Sequence, residues 1–150
     1  MKKLISPLKK KNLTLSCAES LTAGMFSSTI ASYPGVSSFF KGGVVTYWTE
    51  AKENVLHIPN ELIKKYGVVS PECAQEMTRG VKRLFKSDIS ISFTGNAGPD
   101  VLEGKPVGLV YIGVGINDTM FTFEYHFEGT RNQIRRACVE EGIRKILELI

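Results

Sequence analysis

The chain alternates short apolar runs with longer segments in which apolar residues recur at helical spacing. The short runs predict five strands, at 13–18, 43–48, 89–94, 107–116 and 119–127. The longer segments predict helices at 21–31, 71–85 and 131–149, with two shorter helices between 50 and 67. This order predicts an α/β fold, in which one mixed sheet of about five strands lies between two layers of helices.

Local signals mark several of these boundaries. Asn117-Asp118 is a good two-residue turn between the last two strands. Ser70 followed by Pro71 predicts a helix start, and Thr130 with Gln133 forms the pattern of a capping box before the last helix. With no repeat or linker in between, we expect a single domain spanning 1–150.

The composition is that of an ordinary globular domain. With 150 residues, of which 43% are hydrophobic and 23% charged, the chain can bury a core without a metal or a disulfide. Cys17, Cys73 and Cys138 lie far apart, and they are expected to be small apolar residues in a reducing compartment. No stretch approaches the roughly 20 apolar residues of a membrane span, and residues 1–12 are too charged for a signal peptide, so the expected location is the cytoplasm.

The net charge is a mild +4, from 19 basic and 15 acidic residues. The lysines near the N-terminus are expected to form a solvated segment. A nucleic-acid-binding arm is the lesser alternative, because no aromatic residues interleave with these lysines. The arginines of the last helix could instead face a small anion.

Polar residues follow the first predicted strand, at the sheet edge where α/β proteins bind ligands. In Ala18-Glu19-Ser20-Leu21-Thr22-Ala23-Gly24, hydroxyls and backbone N–H groups meet at the start of a helix, a site suited to an anion. Ser20 could also do no more than cap that helix. The carboxylate of Glu19, between a buried strand and a helix, needs a partner.

Two further polar stretches follow later strands. Gly43 allows close backbone approach, and Tyr47 and Lys52 are spaced so that a phenol and an ammonium can enter one pocket. Taken alone, the pattern favours a half-buried Tyr47 and a solvated Lys52. The third stretch, a loop whose N–H groups could bind a phosphate or an oxyanion, contains Thr94, Gly95 and Gly98.

In these stretches the sequence resembles the CinA C-terminal domain family, whose active members are nicotinamide-nucleotide amidases. The matching motifs are Ala18-Glu19-Ser20-x-Thr22-x-Gly24, Gly42-Gly43-Val44-Val45-Thr46-Tyr47, Glu50-Ala51-Lys52, Gly67-Val68-Val69-Ser70, Thr94-Gly95-x-Ala97-Gly98-Pro99, Lys105-Pro106-Val107-Gly108 and Gly129-x-Arg131-x-x-x-Arg135. One such motif would be weak, whereas seven in register are specific. The family's larger members carry an additional N-terminal domain, so the resemblance implies a stand-alone version.

The resemblance implies a three-layer α/β/α sandwich with a mixed sheet, similar to anticodon-binding-domain-like folds. It also implies hydrolysis of the carboxamide of nicotinamide mononucleotide to nicotinate mononucleotide and ammonia, a step of NAD recycling. This reaction needs no cofactor and no metal. The expected partner is thus a small-molecule pyridine nucleotide, with no nucleic acid and no membrane, and the expected assembly is a homodimer.

The resemblance also assigns roles to individual residues. Ser20 is expected to attack the carboxamide carbon, with Lys52 as its base, either directly or through Tyr47. Thr94 is expected to orient the carboxamide, and N–H groups near Ser20 or Gly95 would stabilise the oxyanion. The expected substrate-binding residues are Glu19, Thr22, Gly24, Gly43, Gly95, Gly98 and Arg135.

Among these, Arg135 is expected to hold the nucleotide phosphate, together with the helix-start amides after Glu19. Arg131 is alternatively a surface residue of the last helix. The sequence departs from the family pattern at Leu21 and Ala23, which replace Cys and Gly, and at Asn96, which replaces an apolar residue. These departures leave two alternatives, a non-catalytic nucleotide-binding domain and, by analogy of fold and charge, a nucleic-acid-binding module.

Overall fold

The structure is a computed structural model that describes residues 2–150. Its helices are α1 (Lys2–Lys10), α2 (Met25–Ala31), α3 (Thr49–Leu56), α4 (Asn60–Tyr66), α5 (Pro71–Phe85) and α6 (Arg131–Leu149). Its strands are β1 (Leu15–Glu19), β2 (Phe40–Val45), β3 (Ile89–Gly95), β4 (Leu109–Ile116) and β5 (Thr119–His126). A single 3₁₀ turn at Val36–Ser38 precedes β2.

The five strands form one mixed sheet in the order β2-β1-β3-β4-β5, which confirms the predicted sheet. Strand β1 pairs in parallel with both β2 and β3, whereas β4 is antiparallel to β3 and to β5. Every residue of β1 is buried, as expected for a central parallel strand that is covered on both faces. The carboxyl ends of β1, β2 and β3 therefore meet at the same edge of the sheet.

Helices cover both faces of the sheet, so the fold is the expected three-layer α/β/α sandwich. On one face, α1, α2 and α6 bury Leu4, Phe26 and Ile134 against the strands. On the other face, α3 and α5 bury Leu56 and Met77 in a second apolar cluster. All three cysteines are free and buried. None of the helices described at residues 2–150 is both long and apolar enough to cross a lipid bilayer.

The N-terminal segment differs from the prediction. It forms helix α1 instead of a solvated segment, because Leu4 and Leu8, four residues apart, lie on one face and are fully buried. Lys3, Lys9 and Lys10 stay exposed. The basic residues obscured this amphipathic pattern in a segment of only nine helical residues.

The bounds of two further elements differ from the prediction by three residues or more. Strand β2 lies three residues earlier than predicted, so Thr46–Trp48 connect it to α3. Helix α2 begins at Met25, and residues 21–24 form a turn. The two predicted caps are confirmed, since the side chain of Ser70 accepts from the N–H of Cys73 and Thr130 forms a capping box with Gln133.

Candidate active site

A cavity of about 400 Å³ opens at the carboxyl ends of the three parallel strands. Ser20 follows β1 directly, Thr94 and Gly95 end β3, and Tyr47 and Lys52 follow β2. We call it the Ser20 cavity. The parallel register brings these separate segments together, because each strand delivers its following residues to the same edge.

Lys52 brings a buried amino group into this site. The residue is 1% exposed, so the solvated Lys52 that the pattern alone favoured is wrong. Its Nζ lies 3.1 Å from Ser20 Oγ, 2.6 Å from the carbonyl oxygen of Thr46 and 3.4 Å from that of Tyr47. Burial lowers the pKa of Lys52 from its ordinary value of 10.5, because desolvation disfavours the charged form.

The three acceptors around Nζ match the three N–H bonds of an ammonium, and they also accommodate a neutral amine. A neutral Lys52 has two N–H bonds and one lone pair, and the site offers two carbonyl acceptors and one hydroxyl. With both N–H bonds directed at the carbonyls, the lone pair faces Ser20 Oγ and can accept its proton. The pair can therefore perform the first step of serine nucleophilic catalysis without a histidine.

Tyr47 and Arg131 form the next part of the site. The Tyr47 ring is half exposed, and its hydroxyl accepts a 2.7 Å hydrogen bond from Arg131 Nη2. Arg131 Nη1 donates to the Gly98 carbonyl at 2.6 Å. Lys52 contacts the carbonyl of Tyr47 and not its phenol, so the proton relay through the phenol stays a prediction.

A second cavity, of about 220 Å³, adjoins the first, and we call it the Arg131 cavity. The two share Ser20, Tyr47, Gly95 and Leu102. Asn96, Asp100 and Arg131 line only the second one. The two cavities together can accept an elongated ligand with one apolar and one polar end.

Val68 and Val69 form one wall of the Ser20 cavity. Thr94 and Glu103 hold this wall in place through hydrogen bonds to its backbone. Thr94 is buried and its hydroxyl donates to the Val68 carbonyl at 2.6 Å. The carboxylate of Glu103 accepts from the N–H groups of Val68 (2.7 Å) and Val69 (2.9 Å), and Lys105 Nζ donates to the Val69 carbonyl. Since the donor of Thr94 is engaged, its hydroxyl is free to offer a ligand only its lone pairs.

Glu19 is fully buried and caps helix α2. Its Oε2 accepts from the N–H groups of Gly24 and Phe26, both at 3.0 Å. Its Oε1 accepts from the N–H (2.9 Å) and the hydroxyl (2.7 Å) of Ser27. Glu19, and not Ser20, therefore caps this helix. The partner that the buried carboxylate of Glu19 was expected to need is this group of N–H and hydroxyl donors. Glu19 lines neither cavity.

The structure places the other predicted binding residues around the turn 20–24 and in the sheet. Arg135 donates to the carbonyls of Leu21 (3.0 Å) and Thr22 (2.8 Å), and it lines a separate open depression beside α2. The Thr22 side chain is fully buried, and its hydroxyl has no partner within residues 2–150. Gly24 adopts a left-handed conformation (φ 91°) at the start of α2.

Two glycines have steric roles. Any Cβ at Gly43 would collide with Cys17 Sγ and Ser27 Oγ, so this glycine lets β2 approach β1 and α2 closely. Gly98 adopts φ 77° in the loop after β3 and offers its carbonyl to Arg131. Contact of these two residues with a substrate stays a prediction.

Several residues of the site were not predicted as such, among them Trp48, Val68, Val69, Leu102 and Glu103. Val68 and Val69 belong to a motif that carried the resemblance, and this was the one available signal for them. Within the described residues, no cluster of His, Cys, Asp or Glu side chains could hold a metal ion. Burial raises the pKa of the Cys73 thiol to about 11, so this nearest cysteine is a poor nucleophile.

Comparisons with known proteins agree with this architecture. Two competence-damage inducible proteins, from Listeria monocytogenes and Bacillus cereus, are 47% and 48% identical to this chain over 144 and 141 residues. These matches cover 95% and 93% of the chain, which spans about a third (35% and 34%) of the length of these curated relatives.

Solved structures agree as well. The competence damage-inducible protein A (ComA) from Klebsiella pneumoniae superposes with a TM-score of 0.96 at 30% identity, covering 98% of this chain and 92% of that one. The competence/damage inducible protein CihA from Agrobacterium tumefaciens gives 0.94 at 28% identity, covering 99% and 92%. The sequence profile described as CinA C-terminal domain matches residues 1–150. The chain therefore belongs to the CinA C-terminal domain family.

Proposed function

We propose that this domain hydrolyses the carboxamide of nicotinamide mononucleotide, giving nicotinate mononucleotide and ammonia. The observation that carries the proposal is the 3.1 Å contact between Lys52 Nζ and Ser20 Oγ at the floor of the Ser20 cavity. A buried lysine next to a serine hydroxyl is an unusual arrangement unless the lysine accepts the serine proton, because burial of the charge is costly.

The reaction proceeds through an acyl-enzyme. Ser20 Oγ attacks the carboxamide carbon while Lys52 takes its proton, and the carbonyl oxygen becomes an oxyanion. When the tetrahedral intermediate collapses, the C–N bond breaks and Lys52 gives the proton to the departing nitrogen, which leaves as ammonia. Water then attacks the ester carbon and gives a proton to Lys52. When this second intermediate collapses, the bond between the acyl carbon and Ser20 Oγ breaks, Lys52 returns the proton to Ser20 Oγ, and nicotinate mononucleotide leaves and loses its carboxyl proton to water.

The oxyanion donors follow from the hydrogen bonds of the turn after Ser20. The N–H of Ser20 donates to Phe93 O, and that of Ala23 donates to Ser20 O, each at 3.0 Å. The N–H groups of Leu21 and Thr22 have no acceptor within residues 2–150. We therefore assign these two groups, and above all the N–H of Leu21, to the oxyanion, where each donor contributes about 3 kcal/mol in known cases.

The Arg131 cavity is the site that we assign to the ribose phosphate. Both guanidinium groups already donate to protein oxygens, but Arg131 lines this cavity, whereas Arg135 lines the separate depression beside α2. A guanidinium is the side chain best matched to a phosphate, and the Asp100 carboxylate on the same cavity can accept from ribose hydroxyls. Arg131 thus takes the role that the resemblance gave to Arg135.

We expect Arg131→Leu to weaken binding of the phosphorylated substrate. The KM for nicotinamide mononucleotide should rise by about 10- to 100-fold, since a charge-assisted contact contributes about 1.5–3 kcal/mol. The KM for nicotinamide riboside, which has no phosphate, should change much less. Steady-state kinetics on both substrates measure this difference.

The matched control for that variant is Arg136→Leu. Arg136 lies on the same helix, is exposed and lines neither cavity. It removes the same charge, so any effect of net charge alone appears in both variants. If Arg135→Leu, with its fold verified, raised this KM and Arg131→Leu did not, our assignment of the phosphate site would be wrong.

The direct test of the function is ammonia release. Purified protein is incubated with nicotinamide mononucleotide, and ammonia and nicotinate mononucleotide are measured in parallel. Both products should form in equal amounts. Binding of the nucleotide without ammonia would instead support the non-catalytic alternative suggested by Leu21 and Ala23.

A further inference from the structure

The only tryptophan of the chain stands at the mouth of the Ser20 cavity. Trp48 is 74% exposed, and it follows Tyr47 directly, just before helix α3. A large indole with so much surface in water contributes little to the stability of the fold. Its position next to the Ser20–Lys52 pair suggests that the surface it exposes is used by a ligand.

Other exposed apolar side chains lie along the two adjoining cavities. Of the nine large hydrophobic residues that are exposed in the described chain, four line the Ser20 cavity or the Arg131 cavity. These four are Tyr47, Trp48, Val101 and Leu102. Behind them, the buried side chains of Val68 and Val69 continue the wall inwards. An apolar concavity with few polar groups is typical of a binding site for a flat organic ring.

The charge on this side of the cavity is also informative. Glu50 lies in the first turn of α3, two residues after Trp48, and its exposed carboxylate lines the same cavity. An aromatic face next to a carboxylate favours a cation, because the negative face of the ring attracts positive charge. A pyridinium ring is both flat and positively charged, so it matches this wall in shape and in charge.

On the basis of the function proposed above, we propose that Trp48 is a specificity-determining residue that stacks against the pyridinium ring of the substrate. Stacking on Trp48 fixes the orientation of the pyridinium ring. The carboxamide, which is attached to the edge of that ring, then points towards Ser20 Oγ. The phosphate end then extends into the Arg131 cavity. Trp48 takes no part in proton transfer, since Lys52 is the group in contact with Ser20.

The stacking contact should act on binding and not on the chemical step. The ring keeps its charge throughout the reaction, so Trp48 stabilises the bound substrate and the transition state equally. Trp48→Ala should raise the KM for nicotinamide mononucleotide about 5- to 30-fold, the range expected for a partly desolvated cation–π contact, with kcat changed less than about threefold.

Two replacements separate stacking from simple apolar contact. Trp48→Phe keeps an aromatic face and should stay within about threefold of the parent KM, whereas Trp48→Leu should behave like Trp48→Ala. Val55→Ala is the control, because Val55 is an exposed apolar residue on α3, the helix after Trp48, and lines neither cavity. It should leave the KM unchanged.

Because the chain has a single tryptophan, its fluorescence reports on this contact directly. The measurement uses Ser20→Ala, so that bound nucleotide is not consumed. Nicotinamide mononucleotide and 1-methylnicotinamide, which both carry the pyridinium ring, should quench the signal with saturation. Ribose 5-phosphate should not quench it. Free N-acetyltryptophanamide, titrated with the same nucleotide, shows the non-saturable quenching caused by collisions alone.

The outcomes distinguish this inference from the proposed function. If ammonia is released but the quenching is linear, or Trp48→Leu keeps the parent KM, Trp48 does not stack and only the inference fails. If no ammonia is released but the quenching is saturable and requires the ring, the inference stands and the hydrolysis fails. If there is neither ammonia nor ring-dependent quenching, both fail.

Discussion

Ser20→Ala is expected to reduce ammonia release by about 10⁴-fold or more, because the variant has no nucleophile while the oxyanion and phosphate contacts remain. Ser20 is only partly buried, and its hydroxyl contacts Lys52 alone among the described side chains. The free energy of unfolding should therefore change by no more than about 1 kcal/mol. A chemical denaturation curve, measured beside the activity, checks that the loss comes from the chemistry. Retained activity would assign the attack to a bound water.

Lys52→Met tests the other half of the pair. Its activity should fall as far as that of Ser20→Ala, and the double variant should be no worse than either single one, because the two side chains act as a unit. Lys64→Met is the control, since Lys64 is an exposed lysine on α4. If Lys52→Met kept the parent activity, Lys52 would not be the base.

The pH dependence follows from the same residue. Only the neutral amine accepts the serine proton, so kcat/KM should rise with pH as Lys52 loses its proton and then reach a plateau. Because burial lowers the pKa of Lys52, the midpoint should lie below the ordinary value of 10.5. If kcat/KM instead decreased as the pH was raised through this range, a neutral lysine base would be contradicted.

Glu19→Ala is expected to destabilise the fold more than any other variant described above. The substitution leaves three N–H groups and the Ser27 hydroxyl at the start of α2 without their acceptor in a buried site. We expect a loss of about 3 kcal/mol or more in the free energy of unfolding, measured by denaturation in urea. Glu19→Gln should lose roughly half as much, because one carboxylate oxygen is replaced by an amide that cannot accept.

Glu140→Ala is the matched control for Glu19. Glu140 is an exposed glutamate on α6, and its removal should change stability by less than about 0.5 kcal/mol. If Glu19→Gln kept the parent stability but raised the KM, Glu19 would be a substrate contact, as the resemblance suggested. The hydrogen bonds to α2 would then be of minor importance.

Much of the site could be predicted because it depends on strand direction. Parallel strands that are recognised from their apolar runs must deliver their following residues to one edge, and Ser20, Lys52 and Thr94 meet there. The caps at Ser70 and Thr130 were predictable for a different reason. They depend only on local chemistry within one turn of helix.

The remaining features depend on packing that no local pattern encodes. The polar pattern of segment 49–56 favours a solvated lysine, and only the family resemblance indicated that Lys52 is turned inwards together with Leu56. Arg131 and Arg135 are one helical turn apart, and which of them reaches a cavity is decided by how α6 lies on the sheet. Trp48 was overlooked because the sequence placed it inside the second strand. In the structure β2 ends at Val45, so Trp48 lies in the connection after the strand, at the rim of the cavity.

Ser20, the nucleophile that we propose, directly follows a central strand of the sheet. Strand β1 is hydrogen-bonded on both sides and is buried along its whole length. Local opening in native proteins begins at termini and loops, and central strands exchange their amide hydrogens only when the whole domain unfolds. Fluctuations that loosen the outer loops should therefore leave the backbone at the end of β1 in place until the domain unfolds as a whole.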